Sequence, residues 1–247
     1  HLTLKEYSIN ERTGKVNEGD IVVLTKQEEW VTPGLREDQE IDRAKMNGIL
    51  GALDELKIEG VRPKPAGLTA SLTRSADSLT INTSDLLSLQ NKGFFFSRDG
   101  RLLSNEGEMQ ARTQDGLVYT LRFGEVAYGT GTAVTSGDVS DAGEASETGV
   151  NRYLFVTARF EKSMFPEPVY PENTDFLSKA DSLWTDADYA NKNLYDAHQE
   201  WRTKVDKGMG EAARLNARFA NWYYVISEEN FAKLRPPRSE LIKTKES

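Results

Sequence analysis

The sequence predicts an α+β fold, on three observations. Two Asp-Gly pairs, at 99–100 and 115–116, each stand between short runs of aromatic, aliphatic and β-branched residues. Asp-Gly suits a tight hairpin turn because that backbone needs positive φ. The stretch 38–57 repeats apolar residues at three- and four-residue steps, and 174–220 does so over a longer span. Together these give antiparallel sheets and hairpins packed against an N-terminal-half helix and long C-terminal helices.

Residues 1–35 read as short strands. Asp20–Thr25 is β-branched, Glu29–Thr32 is closed by Pro33-Gly34, and Thr13–Lys15 and Lys26–Glu28 supply turns. In 38–57, Ile41, Ala44, Ile49, Leu50, Leu53 and Leu56 form one face, with Asp38 as the expected N-cap. Gly48 and Gly51 weaken this helix by about 1 kcal/mol each against Ala, so they are expected where a sheet approaches closely. Arg62–Gly67 reads as an extended, proline-stiffened link. A short helix over Ser84–Gln90 ends at Gly93.

The hairpins follow, Phe94–Ser97 with Leu102–Ser104, then Met109–Thr113 with Leu117–Phe123. In the last strand Leu117, Tyr119, Leu121 and Phe123 alternate with Val118, Thr120 and Arg122, as in a sheet with one wet side. Residues 129–149 are almost all Gly, Ser, Thr, Ala, Asp and Glu and read as a surface loop. Arg152–Phe160 returns to the same sheet. The stripe over 174–220 is interrupted by Gly208-Met209-Gly210, which predicts two helices meeting at a break. Trp222–Ile226 then completes a sheet, and Ser227 caps a short helix stopped by Pro236-Pro237. A β/helix unit over 1–83 and a hairpin-and-helix unit over 84–247 are expected to pack as one body.

Composition excludes several classes of function. The 247 residues hold 31 Lys and Arg against 39 Asp and Glu, a net charge of −8, which argues against a nucleic-acid partner. With no Cys there is no disulfide, thiolate nucleophile or Cys-ligated zinc. Of two His, one is His1, so His198 is the sole internal imidazole and chemistry needing paired His fails on count. No apolar run reaches the ~18 residues that cross a bilayer. The chain opens on His1 rather than Met, so the true start is expected to lie before it, and whether a leader or anchor stands there is left open by the sequence.

Each motif that carries chemistry has a plainer reading. Gly129–Gly137 lacks the Lys of a phosphate loop, and its third Gly is not at the spacing of a dinucleotide loop. Asp138, Asp141, Glu144 and Glu147 are oxygen donors for a weak Ca²⁺ site, but without EF-hand spacing they read as a solvated loop. His198 lies on an apolar helical stripe and reads as a structural, hydrogen-bonded residue. Glu106 and Glu108, two apart beside a strand, share a face as a candidate acid pair, but no sugar-stacking cluster accompanies them. Trp30, Trp184, Trp201 and Trp222 suit a ligand platform or, more simply, core packing. Asn82-Thr83-Ser84 is a glycosylation sequon, common by chance. Arg235, Arg238, Lys243 and Lys245 make a mildly basic tail, read as solvated. No catalytic residue, metal ligand or cofactor is assigned.

One resemblance spans most of the chain. Trp30 followed by Pro33, an acid-led helix with Ile49-Leu50 and Leu53, Gly67-Leu68, and Asp115–Gly124 occur in an order that resembles the domain of unknown function 4340 family. Arg218–Ser227 with Phe231, Lys233, Arg238 and Leu241-Ile242 resembles the ending of a longer subset of it. The resemblance covers roughly residues 18–125 and 150–243, on packing and turn residues. It implies an N-terminal membrane anchor, exposure outside the cytoplasm and company with ABC-type export or gliding-motility components. It carries over no catalytic residue. The chain departs from it in lacking the anchor and in the acidic 129–149 insertion. The expectation is a non-enzymatic extracytoplasmic binding or scaffold module with a protein partner in a membrane assembly. The alternatives are a carboxylate-dependent hydrolase acting on glycans and a Ca²⁺-dependent adhesion-type module using 129–149.

Overall fold

Eight strands form one wholly antiparallel sheet in this computed structural model, which describes residues 1–10, 13, 15–74, 81–97, 100–127 and 150–245. The strands in chain order are β1 (Leu2–Asn10), β2 (Lys15–Lys26), β3 (Trp30–Val31), β4 (Gln39–Ile41), β5 (Gly60–Pro63), β6 (Phe94–Phe96), β7 (Leu102–Ser104), β8 (Glu108–Arg112), β9 (Leu117–Ala127), β10 (Asn151–Phe160), β11 (Trp222–Ser227) and β12 (Ile242–Thr244). The helices are α1 (Arg43–Asp54), α2 (Ala66–Arg74), α3 (Thr83–Gln90), α4 (Asp186–Phe219), α5 (Glu228–Leu234) and α6 (Arg238–Leu241). The main sheet runs β3-β2-β1-β8-β9-β10-β11-β5, and β4 with β12 and β6 with β7 form two small ribbons. The α+β class is therefore observed. The sheet takes strands from both 1–83 and 84–247, since β1 pairs with β8 and β5 with β11.

The strand alternation explains the layers. On the first face Leu2, Leu4, Val22, Leu24, Met109, Leu121, Phe123, Leu154 and Ile226 meet Met46, Ile49 and Ala52 of α1 and Phe231 and Leu234 of α5. Farther along that face, Leu117 and Ala158 meet Ala212 and Leu215 of α4. On the second face Phe155 and Tyr223 pack on Leu68, Leu72, Leu89, Phe94 and Leu102, from α2, α3 and the β6–β7 ribbon. The side of β9 expected to be wet is thus covered, and Thr120 is buried.

Three local expectations are corrected. The first helix begins at Arg43, capped by Asp42, whose side chain accepts the Lys45 N–H at 3.0 Å. Residues 39–41, expected to be helical, instead pair with β12. Gly48 and Gly51 face open space, so no sheet approach explains them. The predicted break at Gly208-Met209-Gly210 is absent, and α4 runs unbroken for 34 residues from a Thr185–Asp188 capping box. A Cβ at Gly208 would collide with the Phe160 ring, whereas Gly210 faces open space. Gly208 therefore marks where the helix presses onto β10.

α4 also serves the edge of that strand. β11 pairs with β10 only as far as Leu154 opposite Tyr224. Beyond it, the Ala158 N–H donates to Asn216 Oδ1 at 2.8 Å and Asn216 Nδ2 donates to the Ala158 carbonyl at 2.7 Å. One helical amide thus takes the place of a strand partner and satisfies backbone groups that would otherwise be left open.

Candidate functional site

A cleft of about 520 Å³ lies on the second face, between β1, β8, β9 and β10 and the β6–β7 ribbon. Its floor is a row of charges set by strand register. Lys5 on β1 lies opposite Glu108 on β8, which lies opposite Arg122 on β9. Side chains in register on neighbouring strands project to the same side, so three residues far apart in sequence meet.

Glu108 is 5% exposed and fully engaged. Its Oε1 accepts from Lys5 Nζ at 2.8 Å and Gln110 Nε2 at 3.0 Å. Its Oε2 accepts from the Tyr7 hydroxyl at 3.4 Å and lies 3.4 Å from Arg122 Nε. Burial pushes its pKa up, but Arg122, Lys5 and Gln110 outweigh burial and hold the carboxyl below its ordinary value. Burial, then the Glu108 charge, pushes the Tyr7 phenol up to about 12. Arg122 joins floor to wall, with Nε donating to the Leu102 carbonyl at 2.9 Å and Nη1 to Thr157 Oγ1 at 3.0 Å. Leu72, Phe96, Leu103 and Ile21 add apolar surface, and Arg101 and Arg159 add positive charge.

The expected acid pair is divided. Gly107 sits at φ +77°, a conformation that favours glycine, and a Cβ there would collide with the Lys5 carbonyl. This turn breaks the alternation. Glu108 faces the cleft, while Glu106 lies 3.5 Å from Arg152 and 3.9 Å from Arg235. Arg152 stacks on Phe231 at 4.2 Å, which places that cluster on the first face. Glu106 and Glu108 therefore do not flank a common substrate position.

The other sequence candidates lie apart from the cleft. His198 Nε2 is 3.2 Å from Glu167 Oε1, with its ring between Tyr170 and Trp201. Trp201 donates to the Phe165 carbonyl at 2.7 Å, Trp184 packs on Phe176 and Tyr189, Trp30 packs on the first-face core, and Trp222 is 39% exposed on β11. The four do not form one platform. Asn82 of the sequon caps α3, accepting the Asp85 N–H at 2.8 Å. The basic tail is ordered rather than merely solvated. Arg235 is 3.5 Å from Glu6, Arg238 opens α6, Lys243 of β12 is 3.4 Å from Glu40 of β4, and the Lys245 N–H reaches the Asp38 carbonyl. Gly129–Gly137 and the Asp138, Asp141, Glu144 and Glu147 set lie outside the described residues. Among the described residues no three His, Asp or Glu side chains gather as a metal site, and no helix is long and apolar enough to cross a membrane.

Sequence reasoning singled out Glu108 but missed Lys5, Tyr7 and Arg122. The available signal was Arg122, a charge in the middle of an apolar strand. Besides Arg152, Lys64 is a buried cation outside the cleft. Lys64 Nζ donates to the Phe219 and Trp222 carbonyls at 2.9 and 2.7 Å and sits 4.0 Å above the Phe155 ring. Burial pushes its pKa down to about 7. Comparison of the chain with family models, curated proteins and solved structures gives no match.

Proposed function

We propose that the chain is a non-enzymatic binding module whose cleft takes a small organic anion with an apolar body. The observation that carries this is the row Lys5–Glu108–Arg122. Two cations share one carboxylate, and with Arg101 and Arg159, the latter also paired with Glu161, the four lining cations outnumber the three lining acids Glu6, Glu18 and Glu108. An ionised Glu108 and a neutral Tyr7 form a fixed pattern of acceptor and donor, rather than groups poised near neutrality for proton transfer. The nearby apolar side chains accept the remainder of such a ligand, and the volume lies in the ordinary range for small-molecule sites.

The setting we propose is extracytoplasmic, in a membrane-associated assembly of the ABC-transport or gliding type and with a protein partner there. This part rests on the resemblance to the domain of unknown function 4340 family, and the anchor would belong to a longer chain.

Calorimetric titration with octanoate, octanol and octylamine tests the ligand class. Octanoate binds, the other two do not, and Lys5→Met weakens octanoate about tenfold. Equal binding of octanol and octanoate would refute the anion reading. Hydrolysis of any member of a glycan and ester panel, abolished by Glu108→Gln, would refute the non-enzymatic reading. Recovery of the natively expressed protein solely in the cytosolic fraction would refute the proposed setting.

A further inference from the structure

The two ends of α4 meet different surroundings. Its C-terminal end buries Val205, Ala212 and Leu215. Between Tyr189 and Lys204 no residue of the helix is buried. That stretch is coated instead by the segment that leads into the helix. A chain of rings runs His198–Tyr170–Tyr195–Phe176–Trp184–Tyr189, with successive centroids 4.9, 6.4, 5.7, 5.9 and 5.2 Å apart. The rings meet edge to face around Phe176, which is buried. The two outer tyrosines are open, Tyr170 at 53% and Tyr189 at 51%, and the same segment exposes Val169 at 72%, Leu177 at 61% and Leu183 at 69%. Five large apolar side chains left open within residues 169–189 point to an interaction surface rather than packing.

Charge states what covers it. Residues 166–200 hold eight acids and two lysines, a net −6 within a chain of −8. Both lysines are already in ion pairs, Lys179 with Asp188 and Lys192 with Asp196. Among the described residues Glu172, Asp175, Asp181 and Asp186 carry no ion pair. Each lies within three residues of an exposed apolar side chain, namely Tyr170, Leu177, Leu183 and Tyr189 respectively. A second copy of the chain, a nucleic acid and an anionic lipid surface would all bring negative charge against this patch. A cationic amphipathic protein segment brings opposite charge together with apolar area.

We propose that the surface formed by the 166–185 strap and the N-terminal half of α4 docks a cationic amphipathic helix of a protein partner. This holds independently of what occupies the cleft. A synthetic amphipathic peptide of Lys and Leu, fluorescently labelled, serves as the probe, with a Glu and Leu peptide of the same pattern as control. Titration of the whole chain gives saturable binding of the Lys peptide alone, weakened at least tenfold from 50 to 500 mM salt, a range chosen to shorten the Debye length from about 14 to about 4 Å. The double variant Leu177→Ser with Leu183→Ser weakens binding at least tenfold at an unchanged melting midpoint. Should that variant melt early, Asp181→Asn with Asp186→Asn removes charge alone and weakens binding at least threefold. Glu18→Gln with Asp20→Asn, exposed acids on β2, leaves binding unchanged. Absence of saturable binding, equal binding of the Glu peptide, an equal loss in the β2 variant, or self-association through the patch in sedimentation would each overturn the proposal.

Discussion

Along β9, Leu117, Leu121 and Phe123 enter the first face, while Thr120 and Arg122 enter the second. The same backbone therefore feeds a dry core on one side and a charged cleft on the other. Where Leu121 and Phe123 enter the first face their neighbours are apolar, and stability follows from area removed from water. On the second, each charged group needs its particular partner, because a buried charge without one is costly. Along β9 the first side adds apolar area to the fold, while the second, next to its own apolar cluster, fixes a pattern of donors and acceptors.

Substitutions break this comparison in graded steps. Phe123→Ala has the largest expected effect. Phe123 is 0% exposed and meets Phe231 edge to face at 5.1 Å, so the cavity costs about 3–5 kcal/mol, measured by denaturant unfolding. Glu108→Gln comes next. It leaves Lys5 and Arg122 without their countercharge, and partial exposure of Lys5 reduces the loss to about 2 kcal/mol. The pH dependence has a definite sign. Because Glu108 is held below its ordinary value of 4.5, its contribution is present above that pH and is lost as pH falls through the folded value. The wild-type advantage over Glu108→Gln therefore shrinks below pH 4.5. If the two acid-unfolding curves ran parallel, the charge row would not be a stabilising unit.

Lys64 gives the opposite side of the pH scale. Its folded pKa is lowered from 10.5 to about 7, so unfolding takes up a proton between those values and stability rises with pH. Against Lys64→Met, wild-type stability climbs by up to about 1.4 kcal/mol per pH unit above neutrality. A flat difference between pH 7 and 9 on denaturant titration would remove that reading of Lys64. The smallest effects sharpen the glycine comparison on α4. Gly208→Ala forces Phe160 off Phe165 and costs about 1 kcal/mol. Gly210→Ala, facing open space, gains about 0.5–1 kcal/mol of helix propensity. Equal and opposite shifts of the thermal midpoint would show that the two glycines differ by contact and not by propensity.

Much of the architecture was legible because it is local. The Asp115-Gly116 turn reads directly as a hairpin, and Gly116 sits at φ +88°. The capping Ser227 and the β-branched and aromatic Trp222–Ile226 run needed only their neighbours. The failures are also local readings, overruled at a distance. Asp38 looked like a cap until β4 was claimed by β12, some two hundred residues later. Gly208-Met209-Gly210 looked like a break because propensity alone cannot see Phe160 lying against the helix.

The sequence by itself determined the class of fold, the hairpins and the absence of thiol chemistry, since these depend on composition and short-range periodicity; which part of the long apolar stripe over 174–220 is covered it did not determine, since nothing between Tyr189 and Lys204 is buried. Only tertiary structure decided that Glu106 and Glu108 part company and that Lys5, Glu108 and Arg122 form one row. Their meeting depends on strand register, which is fixed by pairing across the sheet and by a single left-handed glycine, and no one-dimensional spacing encodes it.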